Sequence, residues 1–221
     1  FLEIPRYIRD TFPNVTVVSG GVEVTQNYRQ VIEEDHCHIA FRHSAEYEYK
    51  SFLESCNSAG SPPVPKGVAF TVGSAFFESE PAPVPQEFPD IRPYYHLIEI
   101  EEYHKYGGMN PFSRFINKEK VFGTILTTRG CRANCTYCAV KAFYPGAPTS
   151  RPVKSVVDEL RYLMVERGVR VVDILDDDPA YGYDHSVELF RSMAENLPPG
   201  LEWMSNNGIT GSSITEEVMY W

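Results

Sequence analysis

Residues 121–138 have the sequence VFGTILTTRGCRANCTYC, and they carry the clearest indication of the fold. Its first six residues, 121–126, are mostly apolar and include β-branched side chains, which is typical of a buried strand. The polar loop after this strand contains three of the five cysteines of the chain, all within eight residues: Cys131, Cys135 and Cys138. This clustering predicts a metal site rather than a disulfide framework.

Strands and helices alternate downstream of this loop. Apolar residues recur at three- and four-residue spacing in 153–166, which predicts an amphipathic helix. We expect a strand at 169–175, a helix from 185 to about 196 with Asp184 as its cap, and a third strand at 201–204. Polar residues follow each strand. This order predicts part of a (β/α) barrel, in which active-site residues lie at the carboxyl ends of the strands.

The residues before the loop predict two further segments. Residues 1–60 alternate between helix and strand, with expected strands at 15–18 and 38–41, and this alternation is typical of a parallel α/β sheet. Prolines are dense in 61–118, which favours an extended connector containing at most a hairpin at 67–77. We therefore predict an α/β protein with an N-terminal domain (1–60), a Pro-rich connector (61–118) and a partial barrel (119–221).

Composition and charge exclude several classes of protein. The 221 residues are 43% hydrophobic and 23% charged, which is typical of a globular chain. No apolar run reaches the roughly 18–20 residues that a membrane span needs. Thirty acidic and twenty basic residues give a formal net charge of −10, which disfavours a nucleic-acid partner.

Both ends of the sequence resemble the interior of a protein. The chain begins at Phe1 without an initiator methionine, in a segment with a helical pattern. It closes on residues 216–221, which resemble the first turns of another helix. We therefore expect a fragment of a longer protein.

The three clustered cysteines restrict the kind of inorganic group that the loop can bind. A structural zinc site takes four protein ligands, usually from two separate pairs, and the two remaining cysteines lie in the other predicted domain. A [4Fe–4S] cluster held by three thiolates keeps one iron open to an exogenous ligand. Zinc, or a ferredoxin-like cluster with a fourth ligand from elsewhere, is the alternative.

The pattern Cys131-x3-Cys135-x-Tyr137-Cys138, after a strand of a βα repeat, resembles that of the radical S-adenosylmethionine (SAM) superfamily. An aromatic residue before the last cysteine, here Tyr137, belongs to that motif. The resemblance implies a [4Fe–4S] cluster on the three cysteines, with SAM chelated by the open iron and cleaved reductively to a 5′-deoxyadenosyl radical. It also implies a reductant such as flavodoxin or ferredoxin, a small-molecule substrate and a cytoplasmic location.

The same resemblance assigns candidate SAM contacts. In this superfamily the end of the second barrel strand contacts the SAM amino group, usually through a Gly-Gly-Glu-like stretch. This chain has Asp176-Asp177-Asp178 there, and these carboxylates can pair with an ammonium group directly. Asn206, at the end of the third strand, and Tyr137 are expected to line the same pocket. A solvated acidic turn and a turn-forming asparagine are the structural alternatives.

The N-terminal segment resembles the cobalamin-binding branch of the superfamily, in which a Rossmann-like domain precedes the barrel. Gly20 and Gly21 match the Gly-Gly that ends a late strand of that domain and would lie beside the nucleotide tail of cobalamin. Of the Gly-Glu-Gly-Glu segment of that branch, only Glu46 remains in His43-Ser44-Ala45-Glu46. Cobalamin is therefore a candidate third cofactor.

Two enzyme classes and one non-enzyme class follow from these resemblances. The leading interpretation is methyl transfer to an unactivated carbon, or a radical rearrangement or cyclisation, on a small metabolite. A second enzyme hypothesis is a methylthiotransferase. That branch carries three more cysteines in its N-terminal domain, whereas this chain has only Cys37 and Cys56 there. A cluster-carrying electron-transfer or scaffold module that never cleaves SAM is the third.

Overall fold

The computed structural model describes residues 3–34, 36–57, 63–88, 94–106 and 120–221. The chain divides into two compact units, each made of two segments. The first unit comprises Phe1–Pro85 and Asn134–Gly146, and the second comprises Gln86–Ala133 and Ala147–Trp221. Cys131 therefore belongs to the second unit, whereas Cys135 and Cys138 belong to the first. The domain limits expected from the sequence remain a prediction.

The first unit is built on a four-stranded sheet whose strands follow one another in chain order. Its strands are β1 (Val18–Ser19), β2 (Ile39–Phe41), β3 (Val68–Val72) and β4 (Ala75–Glu78). Strands β1 and β2 are parallel, whereas β3 and β4 form an antiparallel hairpin that pairs with β2. The hairpin lies within the predicted connector, close to the expected 67–77, and it extends the sheet of this unit.

Four helices accompany this sheet: α1 (Glu3–Thr11), α2 (Val22–Glu33), α3 (Glu46–Cys56) and the short α4 (Val140–Phe143). The apolar face of α2 packs on the sheet, because its Val24, Val31 and Ile32 are buried together with Ala40 and Ala69 of the strands. Helix α4 belongs to this unit although it follows the cysteine loop in sequence. The α/β alternation predicted for the N-terminal segment is therefore present.

Strand β1 begins three residues later than the predicted 15–18 and ends one residue beyond it, because only Val18 and Ser19 pair with β2. The backbone amide of Val17 donates instead to the imidazole Nδ1 of His38, at 2.9 Å, while Val17 O accepts from the His38 amide, also at 2.9 Å. A side chain of the neighbouring segment thus takes the place of a ladder hydrogen bond.

The second unit contains a three-stranded parallel sheet, whose strands alternate in sequence with two long helices. Its strands β5 (Phe122–Ile125), β8 (Val171–Ile174) and β9 (Glu202–Met204) lie in the order β5-β8-β9, and β6 (Thr128–Arg129) pairs with β7 (Thr149–Ser150) in a separate antiparallel ladder. The helices are α5 (Val153–Glu166), α6 (Tyr183–Asn196) and α7 (Glu216–Tyr220). Short 3₁₀ segments lie at Tyr95–Leu97, Ile100–Tyr106 and Gly211–Ser213.

Helices α5 and α6 cover one face of this sheet. The helix residues Val156, Leu160, Leu163 and Leu189 are fully buried against Val172 and Ile174 of the central strand β8. A strand buried between neighbours on both sides is typical of parallel sheets. The predicted α/β class and the βα order of residues 121–204 are therefore confirmed.

One predicted helix boundary is wrong. Helix α6 begins at Tyr183, and the residue before it, Gly182, has a φ of 81° in the left-handed region. Asp184 therefore lies inside the first turn and does not cap the helix as predicted. Its charge still suits the positive end of the helix dipole. Within the described residues, the structure contains no helix long and apolar enough to cross a membrane.

Candidate functional site

The three clustered cysteines are free thiols that solvent can reach. Cys135 and Cys138 are exposed and Cys131 is partly buried. The amide of Ala133 donates to the Cys131 sulfur at 3.4 Å, and the Cys138 amide donates to the Cys135 carbonyl at 3.2 Å. Soft thiolates are the ligands that iron–sulfur clusters take, so the donor set fits such a group. Nowhere in the described parts of the chain do three His, Cys, Asp or Glu side chains converge tightly enough for a single metal ion.

Tyr137 lies on the exposed side of this loop, with a ring that is 90% accessible. The charge of the neighbouring Cys135 thiolate, followed by a hydrogen bond to the same group, raises the pKa of Tyr137. The phenol therefore stays protonated at neutral pH. An aromatic ring exposed at this point is available to a bound cofactor.

The chain that leads into the loop is held at its base by the β6–β7 ladder, which pairs Thr128 with Ser150 and Arg129 with Thr149. The Arg151 amide extends this ladder by donating to Thr127 O at 2.8 Å. The chain then turns at Gly130, whose φ of 84° favours glycine.

The carboxylate of Asp176 lies just beyond the end of β8 and is fully buried. Its Oδ1 accepts from the Thr127 amide at 2.7 Å, and its Oδ2 accepts from the Thr128 amide at 2.7 Å and the Thr128 hydroxyl at 2.9 Å. The Thr127 hydroxyl also donates to Oδ2. Burial raises the pKa of Asp176, and these four hydrogen bonds oppose that rise. Asp176 thus binds the chain just before the cysteine loop.

The next two aspartates also contact the loop. Asp177 accepts from the Gly130 amide, and burial, opposed by this hydrogen bond, raises the pKa of its carboxyl group. Asp178 is fully buried and forms an ion pair with Arg132, at 2.8 Å between its Oδ2 and Nε. The three predicted SAM contacts therefore lie beside residues 127–132 of the second unit, which include Cys131. Contact with SAM itself remains a prediction for each of them.

Asn206, the other predicted SAM contact, lies directly after β9 and is bound to β8. Its side-chain amide donates to Asp173 Oδ2 at 2.7 Å, and its backbone amide donates to Asp173 Oδ1 at 3.2 Å. Asp173 is buried within β8. The pairing orients the Asn206 amide group at the carboxyl end of the sheet.

The second unit also contains a buried ionic network, which was not predicted from the sequence. The Arg151 guanidinium is 2.5 Å from the Glu159 carboxylate, and both side chains are nearly inaccessible to solvent. The Tyr95 hydroxyl donates to the same carboxylate at 2.5 Å. A glutamate on the apolar face of a helix was the available signal, because a buried carboxylate requires a cation nearby.

The two glycines predicted to contact cobalamin line a cavity of about 350 Å³ in the first unit. This cavity lies at the ends of β1 and β2 and is also lined by Phe41, Glu46 and Phe143. Gly21 has a φ of 97°, whereas Gly20 has open space beside it apart from ordinary contacts with Phe41. Ligands of open α/β sheets bind at the carboxyl ends of parallel strands, which is where this cavity lies.

His43 lies in the wall of this cavity and is the one residue other than glycine, among those described, with a positive φ (61°). Its backbone amide donates to the Thr25 hydroxyl at 2.8 Å, and its Nδ1 is 3.0 Å from the Ala142 carbonyl oxygen. Helix α4, which includes Ala142 and Phe143, is thereby joined to the cavity wall. The sequence contains no local pattern that predicts this contact between residues 99 positions apart.

The model of the Radical SAM superfamily matches residues 125–219, which include the cysteine loop, Asp176–Asp178 and Asn206. Cytidylyl-2-hydroxyethylphosphonate methyltransferase from Streptomyces wedmorensis is 36% identical over 97 residues, which are 44% of this chain and 18% of that protein. Anaerobic magnesium-protoporphyrin IX monomethyl ester cyclase from Cereibacter sphaeroides is 26% identical over 95% of this chain and 33% of its own length.

Among solved structures, the radical SAM methyltransferase TsrM from Kitasatospora setae has a similar fold. In two structures of TsrM the aligned region covers 86% of this chain and 35% of the TsrM chain. The TM-scores are 0.59 and 0.57, at 20% and 19% sequence identity. One of the two structures has cobalamin and a [4Fe–4S] cluster bound. This chain thus spans between 18% and 35% of the length of these relatives. The comparisons confirm the predicted resemblance and the radical SAM type of α/β fold.

Proposed function

We propose that this chain, whose residues 125–219 match the model of the radical SAM superfamily, is part of an enzyme that cleaves SAM reductively and generates a 5′-deoxyadenosyl radical. The observation that carries the proposal is the set of three free, accessible thiols, with Tyr137 before the last of them, on the loop after a parallel strand. Cys131, Cys135 and Cys138 would hold a [4Fe–4S] cluster. When bound, the cluster supplies the electron and an open iron for the amino and carboxylate groups of SAM.

The residues around the loop have separate parts in this proposal. Asp177 would supply negative charge near the SAM ammonium group, whereas the charge of the buried Asp178 is balanced by Arg132. The Asn206 amide, oriented by Asp173, would supply a hydrogen bond from the end of β9. Tyr137 would cover one side of the cofactor with its ring.

We further propose that the first unit binds cobalamin and that the reaction is methyl transfer to carbon, or a related radical rearrangement, on a small molecule. Three observations support this: the cavity lined by Gly20 and Gly21, its place at the ends of β1 and β2, and the fold shared with TsrM. A reductant such as flavodoxin or ferredoxin would supply electrons. We propose the cytoplasm as the location, because free thiols persist in a reducing compartment.

The two alternative hypotheses, a methylthiotransferase and an electron-transfer module, are less well supported. A methylthiotransferase would need further accessible cysteines in the first unit, but Cys37 is buried and burial raises the pKa of its thiol. Apart from Cys135 and Cys138 of the motif, Cys56 is the one exposed cysteine among the described residues of this unit. An electron-transfer module would bind the cluster but would have no use for an oriented amide at the end of β9.

The proposal is tested by electron paramagnetic resonance (EPR) of the chain after anaerobic reconstitution with iron and sulfide and reduction with dithionite. We expect a [4Fe–4S] signal that shifts on addition of SAM, and iron and sulfide contents near four per chain. A cluster signal that SAM leaves unchanged would contradict SAM binding and favour the electron-transfer reading. Tightly bound zinc without a cluster would overturn the proposal.

Replacing Gly20 by leucine is expected to weaken cobalamin binding by about tenfold or more, because the new side chain occupies the cavity. Gly20→Ala adds only ordinary contacts with Phe41 and is expected to have a small effect. The measurement is a spectrophotometric titration with hydroxocobalamin. Lys50→Leu, on the exposed side of α3, serves as the control, and equal affinity of Gly20→Leu and the control would contradict this use of the cavity.

A further inference from the structure

Three successive carboxylates at the end of β8 each contact a different position around the first cysteine of the loop. The contacts are those of Asp176 with Thr127 and Thr128, of Asp177 with the Gly130 amide, and of Asp178 with Arg132. The partners thus lie on both sides of Cys131 in sequence and include both of its immediate neighbours. No other position of the cysteine motif has such a set of contacts among the described residues.

Asp176 provides the strongest of these contacts. Both of its oxygens accept hydrogen bonds, and the donors are two consecutive backbone amides and the hydroxyls of the same two threonines. Hydrogen bonds to a charged acceptor are stronger than neutral ones, and a carboxylate with no solvent exposure has few ways to exchange them for water. The backbone at 127–128 is therefore firmly held.

Asp178 holds the other side of Cys131. Its carboxylate is completely buried, whereas the Arg132 side chain that pairs with it is 39% exposed. Arg132 thus lies over a buried charge, within 6.0 Å of the Tyr181 ring centroid. Gly130, which the Asp177 carboxylate contacts, supplies the left-handed turn between the two anchors. A turn fixed at both ends and in its middle has little conformational freedom left.

We propose that Asp176, Asp177 and Asp178 form a carboxylate cradle that presets the backbone around Cys131 before a cluster binds. Asp176 is then a positioning residue that acts through Thr127 and Thr128 and not a contact of SAM. The inference rests on the proposed function, because its purpose is to hold one cluster ligand ready. Ligands held in place by buried partners bind with a smaller loss of conformational entropy.

Hydrogen exchange of the cluster-free chain tests the cradle without any activity measurement. Asp176→Asn replaces one acceptor oxygen by an NH2 group, which cannot accept a hydrogen bond from a backbone N–H group. We therefore expect the backbone amides of residues 127–133 to exchange about tenfold faster or more. Peptides from α5 should exchange as in the wild type. Asp158→Asn, a carboxylate-to-amide change on α5 at a side chain that is 39% exposed, is the matched control. Unchanged exchange at 127–133, or faster exchange throughout the second unit, would overturn the inference.

Reconstitution adds a second readout. We expect Asp176→Asn to take up less cluster than the wild type under the same conditions, and any cluster signal to be broadened because the Cys131 ligand is less well ordered. A variant with wild-type cluster content and an identical EPR line shape would overturn the proposed purpose of the cradle. If the wild type itself takes up no cluster, the proposed function fails, while the exchange measurement still decides whether Asp176 holds the loop.

A surface variant tests the same cradle if Asp176→Asn does not fold. Removing the partly exposed guanidinium in Arg132→Ala leaves the other buried contacts in place and is expected to speed exchange of residues 131–133 by roughly two- to fivefold. Arg132→Lys keeps the charge and should restore part of the protection. Equal exchange of the wild type and Arg132→Ala would contradict the role of Asp178.

Discussion

Replacement of Cys131 by alanine is expected to abolish [4Fe–4S] binding and, with it, every SAM-dependent EPR change. A cluster held by three thiolates has no spare protein ligand, so loss of one sulfur leaves a second iron without a protein ligand. The same loss is expected for Cys135→Ala and Cys138→Ala. Iron and sulfide contents after anaerobic reconstitution, together with the EPR spectrum, measure the effect.

Cys56→Ala is the matched control for this experiment. Cys56 is also an exposed free thiol, but it lies at the end of α3 in the first unit, outside the cysteine motif. Its replacement should leave the cluster content and the EPR spectrum unchanged. Full cluster content in Cys131→Ala, or loss of the cluster in Cys56→Ala, would show that the ligands have been assigned wrongly.

Replacement of Glu159 by alanine is expected to lower the unfolding free energy of the second unit by about 3–5 kcal/mol. The variant leaves the Arg151 guanidinium buried without its carboxylate and removes the acceptor of the Tyr95 hydroxyl. Urea unfolding followed by tryptophan fluorescence measures the effect. The signal reports on the second unit, because both tryptophans of the chain, Trp203 and Trp221, belong to it.

Two further variants show whether the burial of the charge pair is the cause. Glu166→Ala changes an exposed glutamate of the same helix and should alter the unfolding free energy by no more than about 0.5 kcal/mol. The double variant Arg151→Met/Glu159→Leu removes both charges together and should recover most of the lost stability. A Glu159→Ala variant as stable as Glu166→Ala would contradict the structural role of the pair.

Local patterns predicted those elements whose burial follows a regular period. Helix α5 begins and ends where its apolar spacing indicates, because Val156, Leu160 and Leu163 form one continuous buried face. The length of β1 could not be predicted in this way, since it depends on the capture of the Val17 amide by the His38 side chain. Long-range contacts of this kind have no signature in the neighbouring residues.

The candidate site shows the same division between local and long-range information. The spacing of the cysteines and Tyr137 is visible in the sequence and carries the resemblance to the family. The contacts of Asp176 and Asp178 depend instead on the parallel register of β5 and β8, which pairs Ile125 with Ile174 and so brings the residues after each strand together. Sequence alone could place these carboxylates near the site but could not show which groups they bind.

The interleaving of the two units has a consequence for how such a protein can be inherited. The chain passes from the first unit to the second after Pro85, returns after Ala133 and leaves again after Gly146. Neither unit is therefore encoded by one uninterrupted stretch of gene. Recombination that exchanged residues 1–85 as a cassette would leave α4, Cys135 and Cys138 behind with the recipient. An exchange that kept either unit whole would have to transfer both of its segments together.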